Sequence, residues 1–168
     1  IEADNSEFDA SATPQTNPTV ANVTVLGASG RNGVRLRAGT QAVLKNFVIT
    51  GPDDYAKCLR VNGDESVAHA ADGSLSITHS VVACAASNNF ASTNLANNTW
   101  FTGKASNEVT TADLLGLSGY MPASDSMLIG SGFDASTLDT FFEATNFIGA
   151  MDVSNDWTAG WVTVGLED

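Results

Sequence analysis

The hexapeptide NVTVLG at Asn22–Gly27 returns as NFVITG at Asn46–Gly51, 24 residues later. Both copies open on Asn, run through β-branched or aromatic residues and close on Gly. The likeness extends past them. The loop ASGRNG leads into VRLRAG at Val34–Gly39, and PDDYAKC leads into LRVNG at Leu59–Gly63. Val34 then aligns with Leu59 and Leu36 with Val61, at an offset of 25. A third copy, SVVACA at Ser80–Ala85, arrives late, after the insertion DESVAHAADGS at Asp64–Ser74. Short strands recurring at this period between Gly and Asn mark a solenoid, in which every turn must present the same shape to the next. No segment keeps the 3.6-residue apolar spacing of a long helix, so helical repeats are excluded.

The expected fold is therefore all-β, a right-handed parallel β-helix in which each strand pairs with its equivalent one rung away. Alternation assigns the faces. Val23, Val25, Phe47, Ile49, Val81 and Ala83 are expected inside, with Val23, Phe47 and Val81 in one column and Val25, Ile49 and Ala83 in another. Thr24, Val48 and Val82 are expected outside, as are Arg35 and Arg60. Asn22 and Asn46 take one corner, where Asn tolerates unusual φ and stacked amides can bond along the axis, with Ser80 as the third member. Two Asn that merely flank β-hairpin strands are the competing reading.

One domain suits 168 residues, divided into a polar lead-in (1–17), regular rungs (18–87), irregular rungs and loops (88–136) and an irregular, aromatic-rich C-terminal cap (137–168). Within the later parts a short helix or turn is expected at Ala112–Leu117. A second brief helix is expected to open in TLDTFFEATNF, with Ser136 or Thr137 as N-cap. A strand-like run is expected from Trp161 to Leu166. The net charge of −12 repels phosphates and anionic lipid surfaces, which makes nucleic acid and membranes poor partners. No stretch approaches the length of a membrane span. Residue 1 is Ile rather than Met, so a C-terminal piece of a longer β-helix is expected, with any targeting segment upstream.

Several residue groups invite a chemical reading. Asp53 and Asp54 near Lys57 and Arg60 imitate the loop carboxylates of β-helix enzymes and are weak Ca²⁺ candidates; no other cofactor is expected. Their rung neighbour ASGR offers no matching acid, which favours solvated loop carboxylates. Arg35, Arg37 and Arg60 are candidates for binding an anionic glycan, or else they pair with carboxylates of the same solenoid. Trp157 and Trp161 are candidates for a sugar-stacking platform, or else they cover the open core. His69 and His79 have no companion Cys pair, so zinc is not expected. No Ser lies in a G-x-S-x-G context, and GASGRNG lacks the ending of a P-loop, so no catalytic residue is assigned. Cys58 and Cys84 flank one corner of adjacent rungs, which allows a disulfide or two buried thiols.

The segments IEADN, NPTVANVTVLG, GVRLRAGTQAVLKNFVITG, CLRV and FFEATNFIGAMDVSNDWTAGW, in this order along most of the chain, resemble the C-terminal region of a group of large bacterial secreted proteins. These are often labelled lipoproteins or β-helix surface proteins. The resemblance implies export to the outer-membrane surface or the medium, a right-handed β-helix and truncation. It implies no activity. The resulting expectation is a non-catalytic structural or adhesive surface module rather than an enzyme. A polysaccharide-active lyase or hydrolase fragment and a glycan-binding module are the alternatives. Surface polysaccharide and further copies of the chain, joined through the exposed β-helix end or faces, are the expected partners.

Overall fold

The computed structural model describes residues 1–54, 56–160 and 162. Two sheets carry the architecture, and the chain visits them alternately. The first sheet is built from β1 (Glu2–Asp4), β3 (Asn32–Arg37) and β5 (Lys57–Val61), in that spatial order and all parallel. A single bridge from Leu59 to Phe90 extends it by one more turn. The second sheet contains β2 (Thr19–Leu26), β4 (Val43–Thr50), the pair β6 (Ser76–Thr78) and β7 (Val81–Ala83), and β8 (Glu108–Val109), again all parallel. Each passage of the chain thus adds one strand to each sheet. The competing hairpin reading fails, because the Asn-led strands pair in parallel.

Between the sheets lies one continuous apolar core. Val34, Leu36, Leu59 and Val61 enter it from the first sheet and Leu44, Phe47, Ile49, Ile77 and Val82 from the second. Val23 stands opposite Phe47 and Val25 opposite Ile49, as the repeat requires. The third column differs from expectation. Val48 pairs with Val81, Ile49 with Val82 and Thr50 with Ala83, so Val82 points into the core while Val81 and Ala83 point out. The physical reason lies at the corner. Asn22, Asn46, His79 and Ser106 all adopt positive φ, between 50° and 58°. His79, not Ser80, is therefore the third corner residue. Ser80 follows it in the column of Phe47, where its Oγ accepts the Phe47 N–H at 3.0 Å. A hydroxyl has replaced an apolar side chain, which hid the register.

The insertion at Asp64–Ser74 folds as α1 (Asp64–Asp72). Asp64 and Glu65 occupy its first turn, and Gly73, at φ 90°, closes it with an N–H to the His69 carbonyl. Its Ser66 turns inward and accepts from the Gly39 N–H at 3.0 Å. A second insertion in the following turn forms α2 (Asn97–Thr102), whose Phe101 is fully buried against Phe90. The lead-in is also more structured than its polarity suggests, since it holds β1 in register with β3.

After β8 the chain leaves the sheets. It makes a single 3₁₀ turn at Ala112–Leu115 and a short antiparallel pair, β9 (Leu117–Ser118) with β10 (Met121–Pro122). It then runs back along the outer face of the second sheet. Leu115, Leu128 and Ile148 cover Val48, Val81 and Ala83, which is why outward-facing Val48 is fully buried. Residues 145–150, expected in a terminal cap, belong to this strap. The brief helix expected from residue 137 is instead one 3₁₀ turn at Ala135–Thr137, capped by Asp134, whose side chain accepts from the Ser136 N–H. Asp139 bonds the Phe141 N–H at 2.8 Å, a local turn that competes with continued helix. The strand expected at Trp161–Leu166 lies outside the described residues, Val162 excepted.

Candidate functional site

Alternation within β3 and β5 sends Arg35, Arg37 and Arg60 to the outside of the first sheet. Register places Glu2 opposite Arg35, and Arg35 opposite Arg60. Arg35 Nη1 lies 3.2 Å from Glu2 Oε1, and Arg37 Nη2 lies 3.0 Å from Asp4 Oδ2. Arg37 also pairs with Glu2 and Glu7. Arg60 donates from Nε to Asn62 Oδ1 at 3.2 Å. Burial pushes the Asp4 carboxyl above its ordinary range; Arg37 opposes that shift and the neighbouring Glu2 and Glu7 reinforce it. These groups are partly solvated, so water screens each ion pair and weakens it. Chemically, three carboxylates occupy two of the three arginines that were candidates for an anionic ligand.

The loop candidates separate. Asp54 accepts from Ser29 Oγ in the turn below, and the Asp53 carbonyl accepts from Asn88 Nδ2 in the turn above, at 2.7 Å. Lys57 Nζ reaches the Ser87 carbonyl at 2.6 Å rather than an acid. Among the described residues no three His, Cys, Asp or Glu gather to hold a metal. His69 lies on α1, 3.0 Å from Gln15 Nε2, whereas His79 sits at the corner against the Phe133 ring, 5.2 Å between centroids. Burial and then the Lys45 charge hold the His79 imidazole below its usual range, and Lys45 Nζ itself lies 4.2 Å from the Phe133 centroid. Cys58 and Cys84 form a disulfide, with 6.3 Å between their Cα atoms and both residues buried.

The strap brings together what the linear sequence keeps apart. Asn46 Nδ2 donates to Asn22 Oδ1 at 3.2 Å, so the two corner amides do bond along the axis. They also hold the strap. Asn46 accepts the Phe133 N–H and donates to the Phe133 carbonyl, both at 2.7 Å. Asn22 Nδ2 donates to the carbonyls of Phe147 at 3.0 Å and Gly149 at 3.1 Å. Thr24 Oγ1 accepts the Ala150 N–H at 3.0 Å. Gly149 sits so close to β2 and β4 that an added Cβ would meet Thr24 Oγ1 at 2.8 Å, and its φ of 101° also demands glycine.

Where the strap crosses the first rung it leaves a groove of about 430 Å³, continuous through shared walls with a second of about 420 Å³. Aromatic rings and polar groups line it: Phe141, Phe142 and Trp157 beside Glu143, Asp152 and Asn155. Phe141 is 86% exposed and Trp157 is 48% exposed. Phe141 and Phe142 meet edge to face at 5.4 Å, and Trp157 Nε1 donates to the Ala150 carbonyl at 2.8 Å, which fixes its ring. Asp152 Oδ1 accepts from the N–H groups of Ser154 and Asn155, and these bonds keep its carboxyl below the ordinary range. Of the two tryptophans expected to act together, Trp157 belongs to the groove and Trp161 lies outside the described residues. Phe141, Phe142, Glu143 and Asp152 were not singled out by their sequence, because only contacts across some 125 residues, such as Asn22 to Phe147, assemble the groove.

A model of the pectate-lyase-like β-helix domain matches residues 1–162, and the chain belongs to that family. No significant match was found among curated proteins or among solved structures. Among the described residues no helix is long and apolar enough to cross a membrane.

Proposed function

We propose that this chain is a non-catalytic, glycan-binding and adhesive module of an exported bacterial surface protein, wound in the right-handed sense that parallel crossovers adopt. The observation that carries the reading is the groove between strap and first rung. Sugars present flat C–H faces and hydroxyls, and a cleft of fixed aromatic rings beside carboxylates and an amide suits both. Membership of a pectate-lyase-like family supports a polysaccharide-related role. Export accords with the disulfide, since such bonds persist in oxidising compartments. The test is affinity electrophoresis against a panel of soluble polysaccharides. Retardation by at least one glycan without release of reducing or unsaturated ends supports the reading, and migration unaffected by every glycan refutes it.

One observation favours the enzymatic alternative. Asp4, raised by burial, stands 3.0 Å from Arg37 on an outward strand face, a pairing that could serve proton transfer on a uronate polymer. Turnover of polygalacturonate with and without added Ca²⁺, abolished by Asp4→Asn, would establish that reading in place of the first.

A further inference from the structure

The charge of the molecule is unevenly placed. Residues 105–168 contain ten of the nineteen acids and none of the seven Lys and Arg or the two His. The groove inherits this bias: Glu143 and Asp152 line it, Asp134 joins Asp152 in its continuation, and no Lys or Arg is among its described walls. Arg35, Arg37 and Arg60 lie on the first sheet, where Glu2, Asp4 and Glu7 already engage Arg35 and Arg37. A polyuronate or sulfated chain entering the groove would meet like charge on its described walls, the nearest cation, Lys45, being engaged over the Phe133 ring at 4.2 Å.

The aromatic walls point the same way. Ring faces carry negative quadrupole density and attract ammonium groups, and the attraction grows when carboxylates stand beside the rings. Phe141, which is 86% exposed, shares the groove with Glu143, an arrangement suited to an ammonium on a sugar, and Trp157 lines the same groove. Asp152 is ready to act as a fixed anion, because its Oδ1 is tied to the turn at Ser154 and Asn155 and none of its described hydrogen bonds uses Oδ2.

We propose that the groove takes an amine-bearing polysaccharide, of the class of partly de-N-acetylated amino-sugar polymers, rather than an anionic one. The proposal rests on the glycan-binding reading above. Its test is calorimetric titration of the whole chain with chitosan oligomers, with fully N-acetylated oligomers of equal length, with polygalacturonate and with oligolysine. The expected result is tightest binding to the amine-bearing oligomer, weakened by salt. Phe141→Ala and Trp157→Ala should each weaken it about tenfold, and Glu143→Gln about fivefold with a shallower salt dependence. Phe8→Ala is the control for non-specific attraction, since Phe8 is fully exposed and stands outside the groove.

Equal affinity for the N-acetylated oligomer, or preference for polygalacturonate, overturns the inference while leaving a glycan-binding module standing. Tighter binding of oligolysine overturns it in favour of a basic peptide. Chitosan affinity unmoved by Phe141→Ala and Glu143→Gln, or lowered equally by Phe8→Ala, overturns it as non-specific attraction. Binding of no glycan at all removes the parent reading and the inference together.

Discussion

Asn46 does three tasks at one position: it adopts φ 58°, bonds Asn22, and grips the Phe133 backbone through both ends of its amide. These can be separated. Asn46→Ala loses the bonds and places a Cβ-bearing residue without a local partner in the left-handed region, at a cost of about 2–4 kcal/mol. Asn46→Gly loses the same bonds but relieves the backbone, so it should be less destabilising by about 1 kcal/mol. Urea denaturation midpoints of the two variants measure the difference, and equal losses would assign the whole effect to hydrogen bonding. The corner at Asn22 and Asn46 was legible because the residue type repeats with the period. The corner at His79 was not, since an imidazole stands where Asn stood and the adjacent Ser80 drew the alignment one residue astray.

At the scale of elements, strand pairing followed the sequence wherever the period was preserved. β2 on β4 and β3 on β5 keep offsets of 24 and 25, and Arg35 lies over Arg60 as alternation requires. The helix α1 lengthens the next passage to 33 residues, from Val48 to Val81, and there the side-chain parity inverted. A nine-residue helix within one turn of a solenoid leaves little periodic signal, and α2 leaves less. The Cys58–Cys84 bridge spans this altered turn with a sequence separation of 26. On the chain-entropy model its loss costs about 3 kcal/mol. A Cys58→Ser, Cys84→Ser double variant should therefore unfold at markedly lower urea concentration than the parent. Two alkylatable thiols in unreduced protein would show that no bridge forms.

For the whole molecule, two features set behaviour in solution. The first is the open end at β1 and β2, whose inward residues Ala3, Val20, Val23 and Val25 are only half-buried, whereas Leu36, Phe47 and Ile49 in the next rung are fully enclosed. Among the described residues the outer edges of β1 and β2 have no strand partner, which favours a further rung; for this chain on its own we propose that a second copy supplies it. Light scattering should accordingly show concentration-dependent association, and a strict monomer at millimolar concentration would contradict it. The second feature is the strap, which buries Val48 and builds the groove. Nothing periodic announces it, because its contacts join the corner asparagines to residues more than 80 positions away. Its placement is the claim on which the groove and its ligand class both depend. Peptide-resolved hydrogen exchange, comparing the parent chain with Asn46→Gly, tests it most directly. Strong protection of the Phe133, Ile148, Gly149 and Ala150 amides in the parent is expected, with that protection reduced in the variant while β4 stays protected. Rapid exchange of those four amides in the parent would contradict a clamped strap, and so would protection that the variant leaves unchanged.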